Sequence, residues 1–209
     1  MKTALVFGAA GGIGRAVLQT FSQRDFRVLG VARDEARVEG AAAATSADLS
    51  RESEVAAACL WAAQQGGPAD ALVFAAGGMF SAPLATTSTD DLTRVFADNV
   101  FSAQLVLRHA APLLHEGSHR VLLGAYPDKL FFPKLGAYAM AKAAFDAWAR
   151  VLLKEERGVK TTLLRLPAVD TPFWKKAPFP LPKGALTATA VAEAVHAVVL
   201  EGKTGVVDL

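Results

Sequence analysis

The chain is poor in several residue types that usually announce a function. Among 209 residues there is one cysteine, two tyrosines, three methionines, three tryptophans and four histidines. A lone cysteine, Cys59, cannot close an internal disulfide, which agrees with a reducing compartment. In the alanine-rich helical pattern Glu54-Val-Ala-Ala-Ala-Cys-Leu-Trp it reads as a small buried hydrophobe. Net charge is scarce too: 22 Lys and Arg against 20 Asp and Glu leave +2. The basic residues are scattered rather than clustered with aromatics, so no nucleic-acid partner is expected. No apolar run reaches membrane-spanning length, and the amino terminus runs straight into a strand and a glycine turn. Neither a transmembrane helix nor a signal peptide is expected, hence a cytoplasmic protein with no membrane partner. His109, His115 and His119 bracket an expected helix end, where positive charge suits the dipole, and His196 lies in the last helix. No second ligand set accompanies them, so no metal site is expected.

What is present is apolar mass and a regular rhythm. With 52% hydrophobic residues, the chain is long enough to bury one large core and reads as a single domain over 1–209. Strand patterns fall at Thr3–Phe7, Arg27–Ala32, Ala43–Ala47, Ala71–Ala75, Arg120–Leu123, Lys160–Leu166 and Gly205–Asp208, with helical patterns over about 12–24, 51–65, 89–114, 136–157 and 187–201. Such alternation predicts an α/β fold, a doubly wound parallel sheet of about seven strands with helices on both faces. Only Pro172–Gly184 carries neither pattern. Four prolines there, with Phe173, Trp174 and Phe179 between them, predict a loop on the carboxyl side of a strand, where ligands sit in such sheets.

Between the first strand and first helix lies Phe7-Gly8-Ala-Ala-Gly11-Gly12-Ile13-Gly14. Glycines there let the backbone turn tightly and let a pyrophosphate approach the amides and positive dipole of the helix amino terminus. Gly8, Gly12 and Gly14 give Gly-x-x-x-Gly-x-Gly rather than the commonest dinucleotide spacing. At the end of the second strand, a carboxylate would favour NAD and a basic residue NADP. The position expected for the acid is Ala32 and Arg33 follows it, which favours NADP(H) over NAD(H). Arg33 also reads as a solvated arginine for which Asp34 competes.

Tyr138 and Lys142 lie four apart in Gly136-Ala-Tyr-Ala-Met-Ala-Lys, a spacing that stacks a phenol beside an ammonium on one helix face. A nearby positive charge favours phenolate, lowering the phenol's pKa and making it useful as an acid and base. Asn99 falls on an apolar helical stripe traced by Leu92, Val95, Phe96, Ala103, Val106 and Ala110. A polar group on a buried stripe needs partners.

Over nearly its whole length the chain resembles the short-chain dehydrogenase/reductase family, on the glycine turn, Tyr138-x-x-x-Lys142 and their order relative to Asn99. The resemblance implies a Rossmann fold and a carbonyl or alcohol substrate. Tyr138, Lys142 and Asn99 would be catalytic, with Asn99 marking a helix irregularity whose carbonyl holds a relay water. Gly8, Gly11, Gly12, Ile13 and Gly14 would cradle the cofactor, and Lys142 would bind the nicotinamide ribose. Asp48, followed by Leu49, matches the family aspartate that bonds the adenine amine, or it caps the following helix. Phe74-Ala75-Ala76-Gly77 stands where the family has Asn-Asn-Ala-Gly. Pro167-Ala168-Val169-Asp170-Thr171 resembles Pro-Gly-x-x-x-Thr, whose backbone and Thr171 hydroxyl would hold the carboxamide, though Thr171 also reads as a turn residue before Pro172. The main departure is at the family's catalytic serine, where this chain has Ala125. The phenol of Tyr126 reads equally as reaching the pocket or as packing. Loop 172–184, Met79, Phe80 and Tyr126 are the expected substrate lining. The alanine-rich faces of helices 89–114 and 136–157 suggest a homodimer or homotetramer.

Overall fold

The computed structural model describes all 209 residues. Strands β1 (Lys2–Phe7), β2 (Phe26–Ala32), β3 (Ala43–Ser46), β4 (Ala69–Phe74), β5 (Leu114–Ala125) and β6 (Lys160–Leu166) come first in the sheet, and two short strands, β7 (Val169–Asp170) and β8 (Leu186–Thr187), pair with each other outside it. The last strand, β9 (Gly205–Asp208), completes a seven-stranded parallel sheet of order β3-β2-β1-β4-β5-β6-β9. All seven expected strands are present. β5 begins at Leu114, well before the expected Arg120, and its pairing with β4 shifts register between Ala69 and Ala71.

Two layers of helix cover the sheet, and strand alternation sorts the core between them. Leu5, Phe7, Leu72 and Phe74 point to one face. They pack there against α2 (Glu52–Gln64), α4 (Ser102–Ala110) and α5 (Gly136–Glu155) through Val55, Cys59, Ala103, Val106, Phe145 and Ala149. Ala4, Val6, Ala71 and Val73 point to the other, against α1 (Gly12–Ser22) and α6 (Ala188–Glu201) through Val17, Leu18, Phe21, Val191 and Val195. Cys59 is 4% exposed, and burial pushes its thiol up to about 11, as expected of a buried small hydrophobe rather than a reactive thiolate.

The helix expected over 89–114 is not continuous. α3 (Thr89–Phe96) opens on a reciprocal cap between Ser88 and Asp91, and Ala97–Phe101 then form one wide i→i+5 turn before α4 resumes. Pro172–Lys176, expected as irregular, form a short 3₁₀ turn. The strand order reverses beside β1, which pairs with β2 on one side and β4 on the other. A crevice at the carboxyl ends of β1 and β4 is therefore the place a ligand fits.

Candidate active site

The glycine turn leaves β1 by a backbone only glycine accommodates. Gly8 has φ +84°, and a Cβ there would lie 2.7–2.9 Å from the backbone of Ala75 and Ala76 at the end of β4. The amides of Gly8 and Ala9 both donate to the Val31 carbonyl, tying the turn to β2. A Cβ on Gly14 would drive into the Gly8 carbonyl. The first helical bond is Arg15 N–H to the Gly11 carbonyl, so the amides of Gly12, Ile13 and Gly14 precede it and have no acceptor in the helix. Gly11, the cap, offers no side chain to them, and the first turn contains no acid. Three free amides at a positive helix end fit a pyrophosphate.

Across the crevice, α5 carries Tyr138 and Lys142 on one buried face, 6% and 8% exposed. The Lys142 Nζ lies 5.7 Å from the Tyr138 ring centroid and 5.5 Å from that of Phe145. Electrostatics here depart from the sequence expectation. Burial holds Tyr138 above the ordinary tyrosine range, and the same burial lowers Lys142 to about 8. Desolvation outweighs the attraction between phenolate and ammonium, so in the protein alone the pair is not an acidified phenol. The ring of Phe173 stands 5.9 Å from that of Tyr138, screening it from water.

Asn99 sits inside the wide turn, 1% exposed. Its amide donates to the carbonyls of Gly78 (2.8 Å) and Val95 (2.9 Å), and its Oδ1 accepts from the Gly78 amide at 3.3 Å. The side chain thus clamps the chain after β4 to the helix. The same oxygen lies 2.9 Å from where a Gly77 Cβ would be, and the Lys142 Nζ 3.5 Å from that point, so Asn99, Lys142 and Gly77 meet at one spot. Gly78, half of the clamp, went unremarked in the sequence; the doubled glycine after Ala75-Ala76 was the available signal.

The other expected residues ring this centre unevenly. Arg33 is exposed just beyond β2 and makes no ion pair. Asp48 accepts from the Ser50 amide (3.0 Å) and hydroxyl (2.7 Å), bonds that hold its carboxyl below the usual range and turn the chain toward α2. Leu49 and Val169 are side-chain buried in the two cores, so only their backbones are available to a ligand. Ala75 and Ala76 are half-buried and Gly77 is open. Pro167 is exposed, and the Thr171 side chain closes onto Gly12, where a Cβ would lie 2.7 Å from it. Beside it opens a cavity of about 520 Å³ lined by Asp170, Thr171, Pro172, Trp174, Lys175 and Leu181.

Two substrate-side expectations change. The Tyr126 hydroxyl donates to the Leu209 carbonyl at 2.7 Å, with Arg165 and Lys129 against its ring and Arg165 paired to Asp208 through two 2.7 Å bonds. The Tyr126 hydroxyl is thus committed to the residue just past β9. Phe80 packs with Val95, Ala137 and Ala141 beneath α5. Ala125 ends β5 opposite Leu166, so no hydroxyl stands at the serine position. Of the histidines, His119 lies inside β5 rather than at a helix end, and no group of three or more His, Cys, Asp or Glu side chains is placed to hold a metal.

A family model described as enoyl-(acyl carrier protein) reductase matches residues 8–181, from the glycine turn through the loop after Thr171. The chain belongs to the short-chain dehydrogenase/reductase family. A short-chain oxidoreductase from Thermus thermophilus superposes with a TM-score of 0.76 at 35% identity, covering 99% of this chain and 98% of that one. An alcohol dehydrogenase from Thermococcus sibiricus, solved with 5-hydroxy-NADP, gives 0.89 at 24% identity over 100% of this chain and 96% of that one, a likeness of fold. Among curated relatives, the 3-amino-tetrahydro-pyrrolizinone reductase of Xenorhabdus hominickii is 28% identical over 186 residues, 84% of this chain but 64% of its own length. This short-chain dehydrogenase/reductase chain thus spans less than two thirds of that relative.

Proposed function

We propose that the protein is an NADP(H)-dependent oxidoreductase that reduces a carbonyl, or oxidises the corresponding alcohol, with Tyr138 as acid and base. The observation that carries the reading is the meeting of Tyr138, Lys142 and the Asn99 turn across from three unpaired amides of a glycine turn. When bound, the nicotinamide supplies or accepts a hydride. Gly12, Ile13 and Gly14 hold the pyrophosphate, and Thr171 with the backbone at Pro167 and Val169 holds the carboxamide. Asp48 and Leu49 meet the adenine, Ala75, Ala76 and Gly77 let its ribose pass, and Arg33 pairs with a 2′-phosphate. Lys142 binds the ribose hydroxyls. A phenol held above its usual range is protonated at neutral pH, which suits Tyr138 as the donor in reduction. Oxidation needs phenolate and should therefore speed up with rising pH. The backbone carbonyl of Asn99 holds the water through which Lys142 returns a proton to Tyr138.

The substrate is a small molecule met by Met79, Phe173 and the loop 172–184. One domain over 1–209, a cytoplasmic location and a homodimer or homotetramer through α4 and α5 belong to the same reading. The half-exposed Phe101 and Val151 on that side agree with the last of these.

Ala125 favours a second reading, a dinucleotide-binding sensor with little turnover. Losing one donor to the developing alkoxide costs about 10²–10³ in turnover, and Tyr126, bonded to Leu209, does not replace it. NADPH oxidation followed by absorbance over a carbonyl panel, in the wild type and Tyr138→Phe, separates the two. Turnover lost in the variant while NADPH still binds supports the enzyme; equal, background rates in both leave the sensor.

A further inference from the structure

Next to Asn99, the carboxylate of Asp98 has no assigned work. Its side chain makes no hydrogen bond and no ion pair, and only its backbone carbonyl takes a side-chain bond, from the Ser102 hydroxyl. Yet it is half-buried rather than free in solvent, pressed over the chain that leaves β4, with Oδ2 2.5 Å from where a Gly78 Cβ would be. Neither oxygen is sealed from solvent, so an incoming ligand can meet them. Burial pushes its carboxyl up from the ordinary range. The charges that act on it are Arg33, Lys176 and Arg94, which pull it down, and Asp48, which pushes it up. Arg33 follows β2 and Asp48 follows β3. Those two strand ends flank the part of such a crevice that receives the adenosine ribose, where an acid selects a free 2′-hydroxyl and a base a 2′-phosphate. Asp98 itself lies in the wide turn, with its carboxylate over Gly78.

We propose that Asp98 determines cofactor preference, its carboxylate acting at the adenosine ribose to oppose the 2′-phosphate that Arg33 attracts. The proposal rests on the dinucleotide reading above and deepens it. Without ligand, Asp98 offsets part of the Arg33 charge. A 2′-phosphate then has to share that guanidinium with a carboxylate of its own sign, whereas a 2′-hydroxyl donates to it. The result is a site that accepts both dinucleotides, with NADP(H) only modestly ahead.

Quenching of tryptophan fluorescence, for which Trp174 beside Thr171 is well placed, reads dissociation constants for NADPH and NADH in the wild type, Asp98→Asn and the smaller Asp98→Ser. Removing one like charge some ångströms from a phosphate, at the dielectric of a protein surface, should tighten NADPH at least about fivefold in both variants, with NADH unchanged or weaker. Unfolding midpoints show that the variants are folded. An equal shift for both dinucleotides, or none for NADPH, overturns the assignment while leaving the dinucleotide reading intact. A wild type that binds neither overturns that reading and the assignment with it.

Discussion

Replacing Lys142 by methionine should make the protein more stable and useless at once. The side chain is 8% exposed, and burial lowers it from 10.5 to about 8. At about 1.4 kcal/mol per pKa unit, that gap corresponds to about 3 kcal/mol. Its sign follows from proton binding. Between pH 8 and 10.5 the unfolded chain keeps the proton while the folded one has lost it, so stability rises with pH through this window. Below pH 8 both states are charged, and the folded state bears the full penalty of a buried ammonium. Methionine has nearly the same length and no charge, so Lys142→Met removes the penalty; contacts of Nζ with the Tyr138 and Phe145 rings return part of it. The expected gain at pH 7 is up to about 3 kcal/mol, or a rise in midpoint of roughly 6–12 °C for a chain of this size. It should vanish above pH 10.5. Denaturant melts of both proteins at pH 7 and pH 10.5 measure it, since every other titrating group cancels in the difference. NADPH binding by the variant should be lost. A variant no more stable than the wild type at pH 7, or a gain that does not shrink with pH, refutes the claim that an unpaired charge is held buried there.

Ala125→Ser should raise carbonyl turnover by about 10²–10³ if the missing donor limits the rate; steady-state assays that show no change mean that some other group already does this work. Gly14→Ala should cost several kcal/mol or prevent folding, because the added carbon has the rigid Gly8 carbonyl in its way; a melt within about 0.5 kcal/mol of the wild type contradicts the turn geometry. His119, 1% exposed and held at about 4 by burial, resists a proton that the unfolded chain accepts near 6.5. Stability should therefore drop by about 3 kcal/mol as pH falls from 6.5 to 4, and His119→Gln should flatten that slope in acid titrations.

The sheet was readable because each central strand is an apolar run buried on both faces. Val-, Leu- and Ala-rich segments such as Ala4–Phe7 and Ala71–Phe74 have no competing pattern. The early start of β5 was not: Leu114 to Ser118 reads Leu-His-Glu-Gly-Ser, and it joins the sheet because the Ser118 hydroxyl bonds the distant Ala69 carbonyl. Asn99 stood out as a polar residue on an apolar stripe, and the structure gives it three bonds. The wide turn around it left no local trace, since Ala-Asp-Asn-Val-Phe has unremarkable helical preferences. Tyr126 could not be oriented from sequence because its partner lies 83 residues away. Spacing also correctly placed Lys142 beside Tyr138, but not the balance of their pKa values. That balance depends on how many water molecules the rest of the fold removes, and Phe173, which does part of the removing, comes from a loop 31 residues past the lysine.

The interrupted rod between Ser88 and Ala110 has a consequence for how this chain can change. Before the interruption Val95 leans on Ala137 and Ala141 of α5, beside Tyr138; after it Ala103, Val106 and Ala110 lean on the sheet. One cylinder thus addresses two different neighbours, and the spare residue between them supplies the phase. Deleting it would rotate everything downstream by about 100°, turning three core alanines and valines toward water or else wrenching the asparagine out of its seat. Single-residue insertions and deletions here are therefore forbidden in a way that substitutions are not, and chemistry at one end of the rod has become hostage to packing at the other.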